Sequence, residues 1–265
     1  MRNKFGFGLI ILLVIDIVYV NLLPLQPDKP TSFYPFYVYL TLAYLIIAIL
    51  TWVELENLEN FHLENFTLII FFLTSVFRTR YRVVGEGYFL AIIAISGFFV
   101  ILTVILNRSK IPQAKLKWAM VGVCLGCVAG FLFIYIEPYQ YQTQIGESLA
   151  SNGIVVGALR ETVNVFSSTA PVEEIIFRGF LWGYLRRIGW GENKVAWVQG
   201  ILFFLLHIYK ITSTPLTFLI IVPILTIIST LLVLRSKQVL PAILSHALIN
   251  ILIPVFVVFL PIVAR

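Results

Sequence analysis

The chain has 265 residues; 60% are hydrophobic, 12% are charged, and the formal net charge is +6. Soluble domains carry about 25% charged residues, so the composition excludes a water-soluble globule and places most of the chain in a bilayer. The excess positive charge does not indicate a nucleic-acid partner. It sits in short clusters between apolar runs (Arg78–Arg82, Asn107–Lys117, Leu185–Arg187), a pattern suited to lipid headgroups and topology.

In chain order, apolar runs predict segments at about 5–23, 36–53, 65–77, 88–106, 118–136, 154–188, 194–210, 215–234 and 239–260. The expected fold is therefore all-α, a multi-pass membrane protein with about eight or nine transmembrane or membrane-embedded helices. The first run, in "MRNKFGFGLIILLVIDIVYVNLLP", has a basic start. It is too long for the roughly 7–15 apolar residues of a signal peptide and lacks a small-x-small cleavage site, so it reads as a span. Asp16 within it is an intramembrane carboxylate, far in sequence from the other unusual residues. The third run is short and reads as tilted or re-entrant. The fifth contains "CLGC" (Cys124, Cys127); no second ligand pair accompanies it, so helix packing through its small residues is a better reading than zinc or redox chemistry.

Prolines 171, 223, 241 and 254 fall within or beside apolar segments, where they predict kinks and breaks that line cavities. Basic clusters at Arg108–Lys117, Arg186–Lys194 and Arg235–Lys237 share one side if the later segments alternate, and the positive-inside rule makes that side cytoplasmic. "RTRYR" (Arg78–Arg82) breaks the alternation unless the third run does not cross. The chain divides into an N-terminal helical part of unassigned role (1–144) and a C-terminal helical region (145–265) that holds most of its unusual polar residues.

Three polar constellations lie in that region. In "APVEEIIFRGFLWGYLRRI", Glu173 and Glu174 follow Pro171, at a predicted helix start where the dipole favours negative charge. Glu174 and Arg178 are four apart and can pair on one face; this leaves Glu173 without a local partner and suited to general-base work. In "FFLLH", Phe203 and His207 share a face, and "HIYK" looks like a helix end near the headgroups. In "SHALIN", His246 and Asn250 lie one turn apart, where interhelical hydrogen bonding is the plain structural alternative. Together they supply a base, a site for water and oxyanion donors; equally, glutamate and histidines could hold a divalent metal with an open position. There is no HExxH.

"EEIIFR", "FFLLH" and "HALIN" resemble the EExxxR, FxxxH and HxxxN motifs of the CPBP (Abi) family, which comprises the type II CAAX prenyl endopeptidases and bacterial relatives linked to bacteriocin processing and self-immunity. The resemblance implies a CAAX-protease-like hydrolase acting inside the membrane on a membrane-associated or lipidated peptide or protein. It assigns Glu173 and His207 to activating the attacking water and His246 and Asn250 to the oxyanion, with Glu174, Arg178 and Phe203 in support. If the enzyme is a metalloprotease, Glu173, His207 and His246 are the natural ligands, with zinc the natural metal. Membrane lipids and the substrate are the expected partners, nucleic acid is not, and the plasma membrane is the expected location in a prokaryote. Two other readings are a non-catalytic immunity or scaffold protein of the same fold and a proton-coupled transporter. No second copy of the EExxxR segment supports the inverted repeats common in transporters.

Overall fold

The structure is a computed structural model that describes residues 2–22, 33–78, 87–134 and 170–263. Every regular element among them is helical. That is the outcome lipid imposes, because only helices and closed barrels satisfy all backbone polar groups without water. The helices are α1 (Arg2–Leu22), α2 (Phe33–Val53), α3 (Asn65–Arg78), α4 (Gly87–Leu106), α5 (Leu116–Ile134), α6 (170–187), α7 (Glu192–Leu206), α8 (Thr217–Ser236) and α9 (Leu240–Val263). Each coincides with one of the apolar runs. Residues 154–169 of the sixth run and most of "RTRYR" lie outside the described residues.

Among the described residues, three helices are long and apolar enough to cross a membrane: Gly87–Leu106, Leu116–Phe133 and Thr217–Ser236. A fourth crossing is counted if Tyr37–Val53 and the 3-10 turn Leu55–Phe61, bent by 111° at their junction, form one span. Shorter apolar stretches at Gly6–Tyr19, Asn65–Phe77 and Leu240–Leu252 complete a polytopic helical membrane fold. With 14 residues, α3 rises only about 21 Å against a hydrocarbon core of about 30 Å, as its short run predicts.

One apolar core runs through both parts of the chain, from Ile10, Leu13 and Ile17 of α1 to Ile243 and Ile249 of α9. At one end of the bundle the basic clusters meet. Lys115 Nζ donates to the Ser236 carbonyl at 3.2 Å, Lys237 pairs with Glu192 at 2.6 Å, and Gln238 Nε2 donates to the Gln113 carbonyl at 2.7 Å. The clusters expected from the loop charges to share one side therefore lie together at one end of the bundle.

Two devices place α9. Along α5, Gly122, Gly126 and Gly130 repeat every four residues and form a small-residue face that admits another backbone closely. A Cβ at Gly122 would collide with the Pro241 carbonyl oxygen, one at Gly126 would lie 2.8 Å from Ser245 Cα, and one at Gly130 would lie 2.9 Å from Leu252 Cδ1. The packing reading of the "CLGC" region thus holds, but the glycines make the contact; Cys124 is exposed on the flank and Cys127 half-buried.

The second device is Glu64, buried in the α2–α3 connection. It accepts from the Leu240 N–H at 2.9 Å and from the Thr67 hydroxyl, while the Val239 N–H donates to the His62 carbonyl at 2.9 Å. Glu64 therefore caps α9 from 176 residues away and occupies backbone donors that the helix itself leaves unpaired.

Gly126→Ala is expected to destabilise the protein by about 1–3 kcal/mol through overpacking, and Cys124→Ala to change stability by less than about 0.5 kcal/mol, measured as thermal midpoints in detergent. Burial raises Glu64 to about 7 from 4.5, against the lowering effect of Thr67 and the Leu240 N–H. The folded state then binds more protons than the unfolded state between those values, so this contribution to stability declines as pH rises from about 4.5 to about 7. Glu64→Gln is expected to flatten that decline in a midpoint-against-pH series.

Candidate active site

Buried throughout residues 170–185, α6 is the central helix of the bundle. Pro171 lies in the first turn of its described part, and residues Ile175–Leu181 widen into a π-helical stretch that contains Arg178. Such stretches are rare and cluster at functional sites. A second one, Thr217–Ile221 in α8, directly precedes Pro223, which lacks the N–H that an α-helical turn would use.

Glu174 is the hub. Its Oε1 lies 2.8 Å from His246 Nδ1 on α9. Arg178 approaches the same carboxylate at 3.4 Å through both Nη1 and Nε, and Ser229 Oγ of α8 lies 3.5 Å from Oε1. Glu174, Arg178 and Ser229 are fully buried, and His246 is nearly so. The expected i,i+4 pair is present, but Glu174 does more than neutralise Arg178: it fixes a histidine on another helix. Its carboxylate can only accept, so His246 Nδ1 carries the proton of their hydrogen bond.

Glu173 points elsewhere. Its Oε2 is buried without a hydrogen-bond partner among the described residues and lies 4.0 Å from His207 Nε2. The helix end that "HIYK" predicts falls at Leu206, and just beyond it His207 is buried and faces the α6 carboxylate. Its Nδ1 is 3.0 Å from the Phe203 carbonyl. A carbonyl only accepts, so Nδ1 is the N–H and Nε2 presents a lone pair towards Glu173.

Phe203 separates the two carboxylate–histidine pairs. Arg178 Cζ stacks 3.9 Å from its ring centroid, His207 lies at 4.8 Å, His246 meets its edge at 5.9 Å and Phe177 at 5.5 Å. Stacking of a guanidinium on an aromatic face compensates part of the desolvation of Arg178. Asn250, half-buried one turn beyond His246, makes no hydrogen bond among the described residues.

The structure thus draws Glu173, Glu174, Arg178, Phe203, His207 and His246 together. It adds Ser229, whose only sequence signal was a polar residue in an apolar run. Asp16, distant in sequence, lies on α1, which packs against α6 and α7.

For a divalent metal the donor types are suitable, but the arrangement is not. Among the described residues no three His, Cys, Asp or Glu side chains are grouped as a metal cage needs.

Fold and site together define a polytopic α-helical membrane protein with a polar centre sealed between its C-terminal helices. Residues 155–252, which contain every residue of that centre, match the family model described as type II CAAX prenyl endopeptidase Rce1-like. No curated protein and no solved structure matches the chain.

Arg178→Met is expected to destabilise the fold by about 3–5 kcal/mol, because it strands the Glu174 charge in the interior. Ser229→Ala, which removes one long hydrogen bond, is expected to cost about 1 kcal/mol. Thermal unfolding in detergent checks both.

Proposed function

We propose that the protein is an intramembrane endopeptidase that hydrolyses a peptide bond of a prenylated or otherwise lipidated, membrane-associated peptide, using a water activated by Glu173 and His207. The observation that carries this reading is the 4.0 Å separation of Glu173 Oε2 and His207 Nε2. It is too long for a direct hydrogen bond and suits one bridging water.

Both groups are acceptors, so such a water donates both hydrogens to them and directs a lone pair away, towards the scissile carbonyl. Glu173 takes one proton as the oxygen attacks the carbonyl carbon. The C=O bond opens to an oxyanion, and the proton on Glu173 passes to the amide nitrogen as the C–N bond breaks. Atoms balance: one water enters, and a carboxylic acid and an amine leave.

His246 and Asn250 are the proposed oxyanion donors. Glu174 holds the His246 ring through Nδ1 and leaves Nε2 to face the developing oxyanion, as a buried aspartate orients a triad histidine. Phe177 and Phe203 keep the surroundings apolar, which strengthens hydrogen bonds to developing charge. The family description, a type II CAAX prenyl endopeptidase, supports a prenylated peptide as the substrate class.

Glu173→Gln and His246→Ala are each expected to lower cleavage of a farnesylated peptide at least 100-fold while expression and gel-filtration profile stay as in wild type. Undiminished cleavage by both variants would remove the proposal.

A further inference from the structure

A second polar cavity lies at the basic end of the bundle, about eight residues, or roughly 12 Å, further along α6 than Glu174. It has a volume of about 490 Å³, and its walls include His62, Trp182, Arg186, Arg187 and Lys237. Two observations mark it as more than a surface dent. The Trp182 side chain is fully buried, yet its Nε1 has no hydrogen-bond partner among the described residues; the same holds for the buried Nδ1 of His62, whose ring meets Trp182 at 6.1 Å. A buried N–H left without a partner costs about 1–3 kcal/mol, so the Trp182 indole calls for an acceptor, and His62 supplies a second donor in the tautomer that carries its proton on Nδ1. The His62 backbone is also in the left-handed region (φ 57°), as is that of Lys237 (φ 55°); both turns bring their side chains to the cavity.

The charges decide what the acceptor is. Burial, followed by the nearby cations of Lys237 and Arg186, holds His62 down at about 4. Glu192 acts in the opposite direction; the wall carries three cations, Arg186, Arg187 and Lys237, against two carboxylates, Glu59 and Glu192. Arg187 is engaged by Glu54 at 2.9 and 3.1 Å, and Lys237 by Glu192 at 2.6 Å. Arg186 uses Nη1 for the Trp190 carbonyl and is otherwise exposed. Glu59, also on the wall, is exposed and opposes an anion.

We propose that this cavity binds the phosphate of an anionic membrane phospholipid, through Arg186 and Lys237 and the ring nitrogens of Trp182 and His62. A lipid is the fitting source, because Lys110, Lys115 and Arg235 lie on the same end of the bundle. Basic pockets between helices on the cytoplasmic side are where anionic headgroups bind. The site is separate from the catalytic centre and stands whether or not that centre cleaves peptides.

The test is the thermal midpoint of the purified full chain in neutral detergent, titrated with phosphatidylglycerol, phosphatidylcholine or inorganic phosphate. Phosphatidylglycerol is expected to raise the midpoint by about 2–4 °C more than phosphatidylcholine. That difference is expected to fall by at least half in Trp182→Phe, which keeps the ring and loses the N–H, and in Arg186→Gln, which lies on the surface. Glu59→Gln is expected to enlarge it. An equal rise with inorganic phosphate, lost in the same variants, would support the phosphate site and assign it a soluble ester. A phosphatidylglycerol effect unchanged in both Trp182→Phe and Arg186→Gln would overturn the proposal, as would equal effects of the two lipids on wild type.

Discussion

A single buried carboxylate, Glu174, links the three helices that make the polar centre. Its oxygens reach Arg178 one turn along α6, Ser229 on α8 and His246 on α9. A charge this deep is tolerable only when paired and hydrogen-bonded. The need to satisfy it therefore constrains where α8 and α9 lie against α6. Phe203 completes the arrangement from α7, by giving the guanidinium an aromatic face and the two histidines a common wall.

The N-terminal helices matter to that geometry even though the residues of the polar centre lie elsewhere. The glycine face of α5 sets how closely α9 approaches, with Gly126 against Ser245, the neighbour of His246. Glu64 caps the start of α9, and Glu54 accepts from Tyr184 at 3.0 Å and pairs with Arg187 at the end of α6. The end of α6 and the start of α9, both at the basic end of the bundle, are thus held by carboxylates from the α2–α3 region. The two sequence parts are one packed body in this respect.

Much of this was legible in the sequence, because lipid simplifies the problem. Apolar run lengths located the helices, and residues at i and i+4 located the Glu174–Arg178 pair and the His246–Asn250 face. What was not legible were contacts between distant segments. Nothing local distinguishes Ser229 from a serine bonding its own helix, and Glu64 reads as a loop carboxylate until Leu240 is beside it. The same holds for His207: "HIYK" marks the helix end, but only the packing of α7 against α6 shows that the ring faces Glu173. In "CLGC" the thiols drew attention, while the contact is made by the glycines around them, since close backbone approach leaves no mark on composition beyond small residues at a spacing of four.

The claim that Glu174 acts by fixing His246 is tested most directly by a double-mutant cycle on peptide cleavage, with Glu174→Gln, His246→Gln and the double variant measured under identical conditions. If the two side chains act as one unit, the double variant is no slower than the slower single variant, to within about threefold. Losses that multiply across the two positions would contradict it, and would mean that the 2.8 Å contact holds the helices together without serving the chemistry.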